Sequence, residues 1–236
     1  AASRRWAEVA KLLEPCARVF AEEGGLQAVS GDILVAAVWA LGAAAALGRV
    51  DLSIVASANA GAPAKALVAR AAREIPTLVA SAPGEVIDLL WGFVSADLPG
   101  TTSLLRNSVQ PLLSQHDVVA ALKPRGCCGL LWAFSARGLR HKQLFAKLAS
   151  ALADQTEVLT WKDLADALWA CAAADFQHPG LLAAAAGRVA AEGGAAAAGL
   201  DFPDAVRIAW ALMGAPEGAE PPPKLVAVAR LLVEPL

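Results

Sequence analysis

Apolar and small residues recur along this chain in five nearly identical phrases, each centred on a tryptophan. They are Ala37-Val38-Trp39-Ala40-Leu41, Leu89-Leu90-Trp91-Gly92-Phe93, Leu130-Leu131-Trp132-Ala133-Phe134, Ala167-Leu168-Trp169-Ala170-Cys171 and Ile208-Ala209-Trp210-Ala211-Leu212. Successive tryptophans stand 52, 41, 37 and 41 residues apart. A period near 40 is that of a helical array. Seven residues after the indole comes an apolar residue: Leu98, Leu139 and Phe176. A second apolar pair then opens another helix, at Leu104-Leu105, Leu144-Phe145, Leu181-Leu182 and Leu225-Val226. Upstream of the indoles lie helix-start signals: Pro83, Pro124 and Pro203 suit a first turn, and Ser30, Thr160 and Asp201 suit a cap.

Each unit therefore reads as a first helix, a short loop, a Trp-bearing second helix and a turn containing Gly, Pro or His. The predicted fold is all-α: a right-handed α-solenoid of about five helix-turn-helix hairpins, forming a single domain over residues 1–236. The repeats fall near 5–48, 63–100, 101–142, 143–179 and 180–222, with half a repeat at 223–236. The long first interval reflects an insertion near 49–62, rich in Ser, Gly and Ala, where a longer loop or a stray turn is expected. Residues Arg5 to Phe20 supply the first helix of the first unit. A lone hairpin cannot bury its apolar face, so stability must come from stacking. In this reading alanines let the helices approach, and one indole per hairpin fills the space between neighbours. Trp132→Ala would then cost about 3–5 kcal/mol.

Composition sharpens this picture. Hydrophobic residues make up 57% of the 236 positions and Tyr is absent, so the apolar content is mostly Ala and Leu, the strongest helix formers. The longest apolar run, Ile33 to Gly48, is shorter than the roughly 20 residues that cross a bilayer. It reads as a buried core helix, and no membrane span is expected. The chain starts at Ala1 and its one Met is Met213, so a leader or a further segment carrying any targeting signal is expected upstream. Cys16, Cys127, Cys128 and Cys171 form no CxxC pair and read as buried small hydrophobes in a reducing compartment.

The phrase Leu130 to Phe134, echoed at Ala167 to Cys171 and more weakly at Ile208 to Leu212, resembles the octotricopeptide repeats of green-algal organelle proteins. It is also similar to heptatricopeptide-type arrays and to the repeats of FAST-kinase-like, RAP-associated mitochondrial proteins. The resemblance spans nearly the whole chain, from Arg5 to Leu236, on a short motif. It implies an organellar protein that binds RNA, in transcript maturation or as a ribosome-associated scaffold. A mitochondrion is the expected compartment, with a chloroplast as the alternative. No RAP-type module is legible, and Pro221-Pro222-Pro223 is followed by Lys224, not Trp.

The net charge of −2 hides a segregation. Between Leu98 and Ser150 lie seven bases, Arg106, Lys123, Arg125, Arg137, Arg140, Lys142 and Lys147, against one acid, Asp117. Stacked repeats place equivalent positions in a row, so these residues are candidate RNA contacts. If about five phosphates were engaged, affinity would fall with salt at a log–log slope near −3.5 for a single strand. With the tryptophans in core phase and Tyr absent, backbone contact with folded RNA, such as ribosomal RNA, is the expected mode.

No constellation for catalysis emerges. His116, His141 and His178 lie in different units, and Ser114-Gln115-His116-Asp117 reads as a polar loop. Gly24-Gly25 and Gly193-Gly194 lack a phosphate-loop context, while Asp163 and Asp166 suit a helix N-terminus. The expectation is a non-enzyme with no cofactor, no metal and no small-molecule substrate. The alternative is a protein–protein scaffold in a large assembly, favoured by low charge and broad weakly charged surfaces.

Overall fold

The computed structural model describes residues 29–46, 61–115, 118–192 and 202–213. Ten α-helices and one short 3-10 helix occupy them, and no strand is present among the described residues. The first helix expected at Arg5 to Phe20, most of the insertion, residues 116–117, the glycines at 193–194 and the final half repeat lie outside them. The chain divides into two units, Ala1–Val118 and Val119–Leu236.

In the first unit, α1 (Gly31–Ala46) packs along α3 (Pro83–Ser95), and α2 (Gly61–Ser81) packs along α4 (Thr101–Ser114). Contacts of α3 with both α2 and α4 join the two layers. Pro83 occupies the first turn of α3, where its missing N–H costs nothing. Leu89, Leu90, Phe93, Leu104 and Leu105 are fully buried between the layers. A short helix, α5 (Val118–Ala121), follows.

In the second unit, α6 (Pro124–Ala136), α8 (Trp161–Ala173) and α10 (Phe202–Met213) lie side by side in one layer. Helices α7 (Lys142–Ala153) and α9 (Pro179–Glu192) form the other, and α7 also packs on α6. Between them Phe134, Phe145 and Leu148 lose essentially all contact with water. Each fully buried side chain of this size contributes about 1.5–3 kcal/mol. Helices α2, α4, α7 and α9 start within two residues of the expected interval starts at 63, 101, 143 and 180, and a Trp-bearing helix follows each later in its interval.

Helix ends follow one rule three times. The N–H of Leu98, Leu139 and Phe176 donates to the carbonyl of Phe93, Phe134 and Cys171, at 3.2, 2.9 and 2.9 Å. The preceding residues Asp97, Gly138 and Asp175 take φ of 50°, 63° and 53°. Their N–H groups donate to Val94, Ser135 and Ala172. This is the paired-bond stop in which a left-handed residue lets the chain reverse, and the apolar residue after it covers the helix end. The apolar residue seven places after each indole is therefore part of a helix stop.

The next helix starts equally locally. The N–H of Leu144 donates to His141 Nδ1 at 3.3 Å, and that of Leu181 to His178 Nδ1 at 3.1 Å. Two of the histidines are thus N-caps of α7 and α9. Thr160 caps α8 by accepting from the Asp163 N–H at 3.1 Å, as its position suggests.

Candidate nucleic-acid interface

Each repeated tryptophan is the ninth residue of its helix: Trp39 in α1, Trp91 in α3, Trp132 in α6, Trp169 in α8 and Trp210 in α10. The residues on either side in sequence are buried, apart from a half-buried Ala40, yet the indole is not. Trp39 and Trp210 are 47% and 48% exposed, and Trp91, Trp132 and Trp169 are partly exposed. This corrects the expectation that the indoles wedge between units. The core positions around them are filled by Leu, Phe and Ala, and the ring occupies the stripe of the helix that faces outward.

Helical geometry explains the difference. Positions three and seven residues before each indole share its face. They hold Ala36 and Asp32 in α1, Asp88 and Gly84 in α3, Gly129 and Arg125 in α6, Asp166 and Lys162 in α8, and Arg207 and Pro203 in α10. None is a large aliphatic residue. Tryptophan sits on the polar stripe, with its hydrophobic character masking that position in a composition reading.

Within each unit the indole-bearing helices are aligned. In the first unit a Cβ on Gly92 would stand 2.5 Å from the Val38 carbonyl oxygen, so α1 and α3 touch backbone to backbone. The Trp39 and Trp91 ring centroids consequently lie 6.2 Å apart at 35°. In the second unit two contacts make α6 and α8 parallel. Arg125 lies 4.0 Å from Asp163 near their starts, and the buried Ser135 hydroxyl donates to the Ala170 carbonyl at 2.6 Å near their ends. Helix α10 joins at its sixth residue, where Arg207 meets Asp166 at 3.0 Å and lies over the Trp169 ring, 6.0 Å from its centroid.

On this layer the cations stand out and the carboxylates stand back. Arg125 is 89% exposed against 19% for Asp163, and Lys162 is 68% exposed against 26% for Asp166. Arg207 is 40% exposed against 7% for Asp204. The charges balance, but a ligand approaching from solvent meets nitrogen first.

Of the seven bases picked out by sequence, six fall in the second unit, where they are spread over separate places. Arg106 is exposed on α4, in the first unit. In the second unit Lys123 and Arg125 flank the start of α6, both exposed, and continue the indole layer. Arg137 and Arg140 occupy the α6–α7 turn and Lys142 opens α7, beyond the far end of a helix about 20 Å long. There Arg140 pairs with Asp175 of the α8–α9 turn at 3.3 Å. Lys147 is half-buried on α7. Lys162 on α8 and Arg207 on α10, outside the basic window, lie on the same helix layer as Arg125 and share Asp166 as a partner. Sequence reasoning missed both because nearby acids cancel them in a charge count.

Three cysteines, Cys127, Cys128 and Cys171, are free and buried on α6 and α8. Burial pushes the Cys127 thiol up to about 11 and Cys171 up to about 12, and drives Cys128 upward with further help from Asp163. Cys16 and His116 lie outside the described residues. Among the described residues no group of three or more His, Cys, Asp or Glu side chains is placed to hold a metal, and no helix is long and apolar enough to cross a membrane. No family model, no curated protein and no solved structure matches this chain.

Proposed function

We propose that this chain is a non-catalytic RNA-binding protein built as a right-handed solenoid of about five helical hairpins. Its setting is an organelle, a mitochondrion before a chloroplast, where it serves as a ribosome-associated scaffold or a transcript-maturation factor. The observation that carries the RNA reading is the protrusion of Arg125, Lys162 and Arg207 beyond their recessed carboxylate partners. Phosphate contacts of this kind supply most sequence-independent affinity. The solenoid reading is supported by the recurring helix stop and by second helices aligned in register. The organellar setting rests on the resemblance of the repeated phrase.

The test is crosslinking of the native protein followed by sequencing of attached RNA, with the Arg125→Glu, Lys162→Glu double variant in parallel. RNA should be recovered with the native chain and strongly depleted with the variant, while the far-ultraviolet circular dichroism is unchanged. Undiminished recovery with the variant would overturn the reading that these protruding cations hold RNA.

A protein-scaffold reading has its own support. Ile33, Val206 and Met213 are large apolar side chains that remain exposed, as aromatic and aliphatic anchors of protein interfaces do. It requires that defined proteins co-purify after nuclease treatment.

A further inference from the structure

We infer that the indole face of α6, α8 and α10 is a stacking platform for the bases of single-stranded RNA. The inference rests on the RNA-binding reading and goes beyond it, because it names the strand state and the contacting residues. It also departs from the sequence expectation of backbone contact with folded RNA.

Three independent features converge on that ligand. The first is placement. Trp132, Trp169 and Trp210 occupy one register on three adjacent helices, and all three expose part of the ring. Packed helix axes lie about 8–10 Å apart, so equal register spaces the rings by about one helix width. The second feature is that packing does not need them there. Core closure is achieved by buried neighbours on both sides, such as Leu131 and Ala133 or Leu168 and Ala170. The third is charge. Arg125 and Lys162 stand seven residues before Trp132 and Trp169, about 10 Å along the same helices, and project past Asp163 and Asp166.

A ligand that satisfies this face must present flat π surfaces at intervals and carry negative charge to one side of them. Single-stranded RNA does both, whereas duplex RNA keeps its bases stacked inside. Arg207 extends the platform. Its guanidinium already lies over Trp169 and is held by Asp166 and Asp204, which fixes its plane for a base. Every base has a π face, so the platform predicts tolerance of sequence.

The experiment uses the full chain, a labelled 20-nucleotide oligouridylate, the same length of oligoadenylate and a 20-base-pair RNA duplex as competitor. Anisotropy gives the Kd, and indole fluorescence reports stacking directly. Both single strands should bind and quench the fluorescence, and the duplex should compete poorly. Trp169→Leu and Trp210→Leu should each weaken binding roughly five- to hundredfold, and Trp→Phe at either position should restore most of it. Trp210 is half exposed, so Trp210→Leu keeps the test available should Trp169→Leu fail to fold. If the leucine variants bind within twofold of the native chain while the Arg125→Glu, Lys162→Glu variant does not, the platform is wrong and the RNA reading stands. If the native chain binds neither strand and instead retains proteins after nuclease treatment, both fall.

Discussion

A Cβ built on Gly42 would stand 2.6 Å from the Cα of Gly92. The two glycines mark the point where α1 and α3 meet without side chains between them, and they hold Trp39 beside Trp91. Gly92→Ala places a methyl group 2.5 Å from the Val38 carbonyl oxygen, a backbone atom that cannot rotate away. The helices must part, at a cost of about 3 kcal/mol. Urea denaturation should show the loss, and the exciton signal of the paired indoles should weaken in circular dichroism.

Gly138→Ala isolates a different effect. Nothing lies within 4 Å of the added Cβ, so packing is untouched and only the left-handed backbone at φ 63° resists. The expected destabilisation is about 1–2 kcal/mol, and Gly138→Asn should cost less, because Asn tolerates this region. An Ala variant as stable as the native chain would mean that the turn is not held in this conformation.

Arg188 should prove structural. Its guanidinium donates to the Thr156 and Leu159 carbonyls at 2.8 and 2.7 Å, pairs with Glu192 at 2.8 Å and lies 4.2 Å from the centre of the Trp161 ring. Arg188→Ala removes the guanidinium donor from both carbonyls, leaving that of Thr156 only the longer bond from the Leu159 N–H, and should cost about 2–4 kcal/mol. Arg188→Lys should recover little, since an ammonium cannot reproduce the planar fork. RNA affinity per folded molecule should be unchanged in both.

The buried thiols predict an alkaline limit. Their folded pKa values are raised, so the neutral thiol is favoured by folding, and the stability they confer is intact below the unfolded value near 9. It is lost as pH climbs through about 11 for Cys127 and about 12 for Cys171. Unfolding free energy should therefore fall from pH 9 upward, with a shallower fall in a Cys127→Ala, Cys171→Ala variant. Equal slopes in the two proteins would exclude the thiols as the cause.

Much of the local architecture is legible before any coordinates. Pro83, Pro124 and Thr160 announce helix starts because their chemistry acts within one turn. The pairs Leu104-Leu105 and Leu144-Phe145 are buried as their spacing implies. The interface is harder to read. Tryptophan is apolar enough to be assigned inward by default, yet Asp166 three residues before Trp169 already shares its face. A linear charge window finds Arg125 but not Lys162 and Arg207 on the same helix layer, whose adjacent acids cancel them in number while lying deeper in space. His141 and His178 cap at the same spacing of three residues as Thr160, but histidine is not among the usual capping residues, so its type does not announce the role.

Three of the described helix stops are set by the residues that directly follow the helix. The distance from indole to closing apolar residue is the same at Leu98, Leu139 and Phe176, although the indoles themselves are unevenly spaced. Length can therefore change in the returning half of a hairpin without disturbing the half that carries the ring. Each of these rings thus keeps its distance from its own helix stop, whatever the length of the segment that follows.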